Sequence, residues 1–323
     1  MSLTFEPNAT EYSLNNARLL GLASAVAYRP EPEIRSWAAA NGFDTKTFRF
    51  FSERGEGIAK LFDTQGFVAE NDSILLVAFR GTEPKQILDW LDDAQIRQAP
   101  WGTSGAKVHD GFAKALNAVW GAIGVLPERL QNRGNKTVWI TGHSLGGGIA
   151  ELCGARAAME AGIPVQGVYT FGQPRVGDGS FATAVENAIG GRIFRHIKHR
   201  DVVPRVPGFG MLYRHYGTQI YFDKDGSPVR ANPGVETIRE AAALFLPLIH
   251  EGIVGDLVSA IFAHLKHPTE FTLADVRDTT SLAAWERVLK HELETGTAPI
   301  ADHSMATHYL KNLGVELSDV AGA

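Results

Sequence analysis

Thr137-Val138-Trp139-Ile140-Thr141-Gly142-His143-Ser144-Leu145-Gly146 is the stretch on which the reading of this chain turns. Its first half is a short apolar run of the kind a fully buried strand presents. Its second half is Gly-x-Ser-x-Gly, and a small-residue helix over residues 147–160 follows. A bare Gly-x-Ser-x-Gly arises easily by chance, but strand, sharp turn and helix in succession make it specific for a serine held on a strained turn. Such a turn needs small residues two before and two after the serine, and Gly142 and Gly146 supply them. The helix then directs its positive dipole end at Ser144, and Ala150, Cys153 and Ala157 give it a thin face for close packing. The competing reading is a glycine-rich turn with an idle serine.

Outward from that motif the same alternation continues. Residues 73–79, 165–171, 192–197 and 219–222 are further apolar runs of strand length, and residues 15–27, 112–123 and 181–188 have helical spacing. Strand and helix in alternation predict an α/β fold with a mostly parallel central sheet flanked by helices. Residues 58–62 and 67–70, on either side of Asp63-Thr64-Gln65-Gly66, are expected to form a hairpin. No repeat or linker divides the chain, so residues 1–323 are expected to be one domain, with a helical insertion over about 223–300.

A serine hydroxyl is a weak nucleophile until a base removes its proton, and the base needs an orienting carboxylate. On this kind of turn the partners follow in the order Asp or Glu, then His. Asp201 lies just past the run 192–197, at a strand's carboxyl end, and Asp178 is its rival. Among eleven histidines, His109, His143, His196 and His199 precede Asp201 and break the order, while His250 and His264 have helical apolar surroundings. His303, at a loop-to-helix junction, is the preferred base and His308 the alternative. The oxyanion of a tetrahedral intermediate needs preplaced donors. The Leu145 N–H is one, and Thr82, just after the run 73–79, is the candidate for the other unless it is an ordinary turn residue.

Composition narrows the partners. Thirty-one basic against 36 acidic residues leave a net charge of −5 with no basic block, which argues against nucleic acid. The single Cys153 excludes an intrachain disulfide. The apolar stretch 241–265 is interrupted by Pro247, His250, Glu251 and Asp256, so no transmembrane span is expected. No signal peptide is visible in the chain as given, which reads as cytoplasmic; a trimmed secreted protein would look the same. There is no metal-ligand cluster and no phosphate-cradling loop, so neither cofactor nor metal is expected.

Taken together, six segments resemble the class 3 lipases, the group typified by filamentous-fungal triacylglycerol lipases. They are Phe79-Arg80-Gly81-Thr82, Val108-His109-Asp110-Gly111-Phe112, residues 141–147, residues 169–178, Asp201-Val202-Val203-Pro204-Arg205 and Asp302-His303. The resemblance covers residues 67–222 continuously, with a short stretch around His303. It implies an α/β-hydrolase fold, a Ser144–Asp201–His303 triad, an oxyanion hole at Thr82 and Leu145, and a lipid ester as substrate. It also implies a lid over residues 83–93 that meets a lipid–water interface, with Asp93 bonded to Thr82. The residues agree: Pro84 suits a first helical position, and Ile87, Leu88, Trp90 and Leu91 make one side apolar. A fixed amphipathic helix is the alternative there. The expected activity is hydrolysis of tri-, di- or monoacylglycerols through an acyl-enzyme. A phospholipase A1, galactolipase or aromatic-ester esterase on the same triad is the alternative, and a non-catalytic lipid-binding protein is the rival of another class.

Overall fold

Six consecutive buried residues, Ile74–Phe79, form a strand that reaches water on neither face, and the fold is built outward from it. The computed structural model describes residues 4–54, 63–82, 97–102, 105–123, 134–198, 201, 203–207, 213–222, 226, 228–231 and 303–316. In chain order its helices are α1 (Leu14–Val26), α2 (Glu31–Ala40), α3 (Asp110–Ile123), α4 (Leu145–Met159) and α5 (Gly179–Ile189). Its strands are β1 (Arg49–Arg54), β2 (Asp63–Glu70), β3 (Ile74–Phe79), β4 (Gln98–Trp101), β5 (Ala106–His109), β6 (Thr137–His143), β7 (Val165–Phe171), β8 (Gly177–Asp178), β9 (Ile193–Lys198), β10 (Tyr213–Arg214), β11 (Thr218–Phe222) and β12 (Pro228–Ala231). A π-wound turn, Met305–Leu310, runs into a single α turn, Lys311–Leu313.

The main sheet has the order β1-β2-β3-β6-β7-β9-β11-β12. From β3 to β11 every neighbour pair is parallel, and antiparallel strands flank this block on both sides. Parallel strands need helical crossovers that cover both faces. One face packs against α3, α4 and α5 through Leu116, Val119, Ile149, Leu152, Val185 and Ile189. The other packs against α1 and the C-terminal turn through Leu19, Leu20, Leu22, Tyr309, Leu310 and Leu313. This is the mostly parallel, helix-flanked sheet expected from the alternation of runs, and the α/β-hydrolase fold implied by the resemblance. A small antiparallel sheet, β10-β8-β5-β4, stands beside it.

Two expectations change. Asp63-Thr64-Gln65-Gly66 is not a turn: these residues open β2, which pairs with β1 over Arg49–Arg54. The signal misread there is Gly66. A Cβ on it would come 2.2 Å from the Ala78 carbonyl oxygen and 2.5 Å from the Phe51 ring, so the glycine serves close approach within the sheet rather than a bend. Second, of the insertion expected to be helical over 223–300, the described part contains a strand, β12, paired antiparallel with β11; its remainder lies outside the described residues.

Candidate active site

β6 ends at His143 and α4 begins at Leu145, so Ser144 alone makes the corner. Its φ of 58° and ψ of −133° lie in a region that costs a non-glycine residue about 1–3 kcal/mol. Among the described residues no other non-glycine has positive φ. The corner is held from three sides. The Ser144 N–H donates to the Phe171 carbonyl at 2.9 Å. A Cβ on Gly142 would sit 2.3 Å from the Gly146 carbonyl oxygen, and one on Gly146 would sit 2.5 Å from the Arg80 carbonyl oxygen. Any side chain at either glycine would push the serine off its perch. The Ser144 Oγ is buried and spends no hydrogen bond on capping the helix.

Asp201 and His303 come together as the order of residues predicted. The His303 Nδ1 lies 2.8 and 3.0 Å from the two Asp201 carboxylate oxygens, with both side chains buried. The His303 Nε2, on the other side of the ring, is buried and has no hydrogen-bond partner among the described residues. Asp201 also accepts from the Val203 N–H at 3.0 Å and from the Tyr309 hydroxyl at 2.5 Å. Three donors on one carboxylate fix its plane. Gly172, one residue past the carbonyl that holds Ser144, has its Cβ direction 2.8 Å from Asp201 Oδ2 and 2.9 Å from the His303 ring. Acid, base and serine therefore converge on the loop that leaves β7.

The rivals take other work. Asp178 caps α5, accepting from the Phe181 N–H at 2.8 Å. His308 sits half-buried on the π-wound turn, with its Nδ1 bonded to the Thr307 hydroxyl at 2.9 Å. Thr82 is buried beyond the end of β3, and the preceding Gly81 packs so tightly that a Cβ there would lie 2.9 Å from Ser144 Cβ. Leu145, the other oxyanion candidate, opens α4 directly after the serine. Of the lid residues, Pro84, Ile87, Leu88, Trp90, Leu91 and Asp93 all lie outside the described residues.

Three residues carry roles that the sequence did not reveal. His143 lays its ring against that of His303, with centroids 4.6 Å apart, and its Nε2 bonds the His303 carbonyl at 2.8 Å. A carbonyl only accepts, so Nε2 carries the proton and Nδ1 accepts from the Tyr28 hydroxyl at 2.8 Å. Tyr28, at the end of α1, thereby sets the tautomer of the residue that braces the base. Tyr309 is the third. Its hydroxyl accepts from the Lys198 N–H at 3.1 Å while donating to Asp201, tying β9 to the carboxylate. A π-wound turn, a form often found at functional sites, brings it there. Replacing Tyr309 with Phe removes one of three donors to the carboxylate and orphans a buried N–H. Turnover on a soluble ester is expected to fall about tenfold with KM little changed; unchanged turnover would remove Tyr309 from the site.

Burial holds three histidines neutral. His109 is lowered to about 4 and His196 to about 3, burial outweighing the opposing pull of Asp110 and of the Thr170 carbonyl respectively. His143 is held well below the ordinary range by burial first and by the neighbouring charge of His303 second. Their folded values lie below the unfolded value of about 6.5, so the unfolded chain takes up protons that the native state refuses. Stability is full above that value and is lost as pH falls. At pH 5 His109 and His196 each cost roughly 2 kcal/mol, a large fraction of the stability of many domains, and His143 acts in the same direction. Urea unfolding should therefore show a much lower midpoint at pH 5 than at pH 7; equal midpoints would mean that these rings are protonated in the fold.

Residues 76–211 match the family model described as Lipase (class 3). Over that segment the chain is similar to the class 3 lipases. Among the relatives of this chain is a Rhizomucor miehei protein named lipase, 33% identical over 175 residues, which are 52% of this chain and 47% of that protein. A Fusarium solani protein named secreted mono- and diacylglycerol lipase 1 is 30% identical over 196 residues, covering 60% of this chain and 56% of its own. The chain spans about half the length of the curated relatives it matches. The solved structure of Rhizomucor miehei triacylglyceride lipase shares its fold, with a TM-score of 0.56 at 24% identity over 67% of this chain and 83% of that one.

Proposed function

We propose that this protein is a serine carboxylic ester hydrolase acting on acylglycerols through Ser144, His303 and Asp201. The observation that carries the reading is the His303–Asp201 pair, closed at 2.8 Å beside a serine held at φ 58°. His303 Nε2 takes the Ser144 proton as Oγ attacks the ester carbonyl, and Asp201 stabilises the imidazolium that forms. The oxyanion is received by the Leu145 N–H and by Thr82, whose loop packs on Ser144. The proton on His303 passes to the leaving alcohol, an acyl-serine forms, and water activated by the same histidine releases the acid. His143 stays neutral throughout, so the imidazolium faces an uncharged ring.

Acylglycerols are the substrate class because the relatives are named for them: the Fusarium solani relative is a mono- and diacylglycerol lipase by name. Residues 83–93 are proposed as the lid that meets the lipid–water interface. Among the described residues no helix is long and apolar enough to cross a membrane, and contact with lipid through such a segment requires none. Two measurements test the reading together. A fluorophosphonate should label Ser144 and abolish turnover, and a panel of tributyrin, monoolein and phosphatidylcholine should show the glycerides hydrolysed fastest. Absence of labelling would leave a lipid-binding protein, and preference for phosphatidylcholine would make it a phospholipase.

A further inference from the structure

Helix α4, headed by Ser144, is buried on nearly every side, and seven residues past the serine, two turns along, it carries a carboxylate into the core. Glu151 is 1% exposed. Around it stand Arg195 from β9, Gln173 from the loop after β7, and Tyr216 from the connection between β10 and β11, all acting on its carboxyl group. Arg195 and Tyr216 are already joined, since the Arg195 Nε donates to the Tyr216 carbonyl at 2.7 Å. Yet among the described residues Glu151 Oε1, Gln173 Oε1, Arg195 Nη1 and the Tyr216 hydroxyl are all buried without a well-formed hydrogen bond, although Gln173 and Tyr216 stand near enough to act on the carboxyl group as donors. Four such polar atoms in one cluster call for an explanation.

We propose that Glu151 is a positioning residue for hydrolysis, an internal clasp that on ionising draws Arg195, Tyr216 and Gln173 onto the helix of Ser144. The chemistry of the four atoms fits two states. As an acid, Glu151 donates its one proton to Gln173 Oε1, and its remaining carbonyl oxygen is a weaker acceptor for the donors of Arg195 and Tyr216. As a carboxylate, it accepts from Arg195 Nη1, from the Tyr216 hydroxyl and from the Gln173 amide, so that one group joins α4, β9 and both connections.

The elements so joined are those that carry the reaction. β9 leads to Asp201, and Phe171, two residues before Gln173, holds the Ser144 N–H at 2.9 Å. Gly172 between them lies against Asp201 and His303, and the Gln173 Cβ is 2.8 Å from the Cβ direction of Gly147 on α4. A shift of Gln173 is therefore felt at serine, acid and base together.

The electrostatics put the switch where it can act. Burial pushes Glu151 up to about 7, with Arg195, Gln173 and Tyr216 pulling the other way. The remaining charged neighbours act further out. Glu186 on α5 raises the Tyr216 phenol after burial and Glu151 have done so, and Arg195 and Arg175 add to the burial that keeps His215 neutral. The folded value lies above the unfolded value of about 4.5, so the native state keeps this proton longer and gives up stability as pH rises from about 4.5 to 7.

The inference rests on the hydrolase reading and is tested by kcat and KM on a soluble ester from pH 5 to 9. Protonation of the base alone gives log kcat a slope of one against pH, and the clasp makes the wild-type slope steeper. Glu151→Gln should return the slope to one and lower kcat at pH 8 by about 3- to 30-fold with KM unchanged. Tyr216→Phe removes one donor to the carboxylate and should move the second inflection to higher pH, which decides the matter should Glu151→Gln not fold. A wild-type slope of one, or a Gln variant matching wild type in slope and kcat, overturns the clasp. Should the wild type hydrolyse no ester, the hydrolase reading fails on its own. The ionisation is then judged on urea midpoints, where the advantage of Glu151→Gln over wild type should grow from pH 5 to 8; a constant gap overturns it.

Discussion

Ser144→Ala is expected to leave a folded protein whose turnover on a soluble ester is lower by about a millionfold, the usual cost of deleting a triad serine. The fold should survive because nothing structural depends on the hydroxyl. The corner is held by a backbone bond to Phe171 and by the contacts of Gly142 and Gly146, all unchanged by the substitution. Alanine bears the positive φ at a similar cost to serine. What disappears is the one buried oxygen at the corner with no other engagement. A matching thermal midpoint beside a collapsed kcat is the expected pair of results. A variant retaining even about a tenth of wild-type turnover would mean the reaction does not run through an acyl-serine at this position.

His303→Ala should be as damaging, again on the order of a millionfold in turnover, while His308→Ala should stay within about tenfold of wild type. The contrast follows from geometry. His303 is the ring bonded to both oxygens of Asp201 and braced by His143. His308 lies five residues on, half-buried on the π-wound turn, and bonds the Thr307 hydroxyl instead. Both variants keep the backbone carbonyl that His143 grips, so the comparison isolates the side chains. Equal losses would implicate the turn as a whole, and the reverse order would reassign the base.

How much of this was legible in the residues depends on how local each signal is. The serine corner is written in ten consecutive residues. Strands β3, β7 and β9 announce themselves as apolar runs because both faces are covered. Asp201 and His303 could be ranked from chain order and strand ends, since the fold class constrains both. Tyr28, His143 and Tyr309 could not. Their roles rest on contacts across 115, 160 and 108 residues respectively, and by pattern alone each is an ordinary core aromatic or histidine. Glu151 was hidden for a different reason: within an apolar helix it looks like the solvent-facing exception, and burial all round reveals otherwise. Helix α2 buries only Ile34, Trp37 and Ala38, too few positions for a clear stripe.

His303 and Asp201, the proposed base and its partner, are 102 residues apart in the chain, and this separation bears on how the architecture can diversify. Closing a long loop costs free energy that grows only with the logarithm of its length, so doubling it adds about 0.6 kcal/mol. What fixes His303 is its own neighbourhood: the stacked His143 ring, the Tyr309 hydroxyl on Asp201, and Leu310 and Leu313 seated against α1 and the sheet. Chemistry and intervening sequence are thus decoupled. A lineage can lengthen, shorten or replace the chain between Asp201 and His303 while the pair itself passes from one version to the next intact.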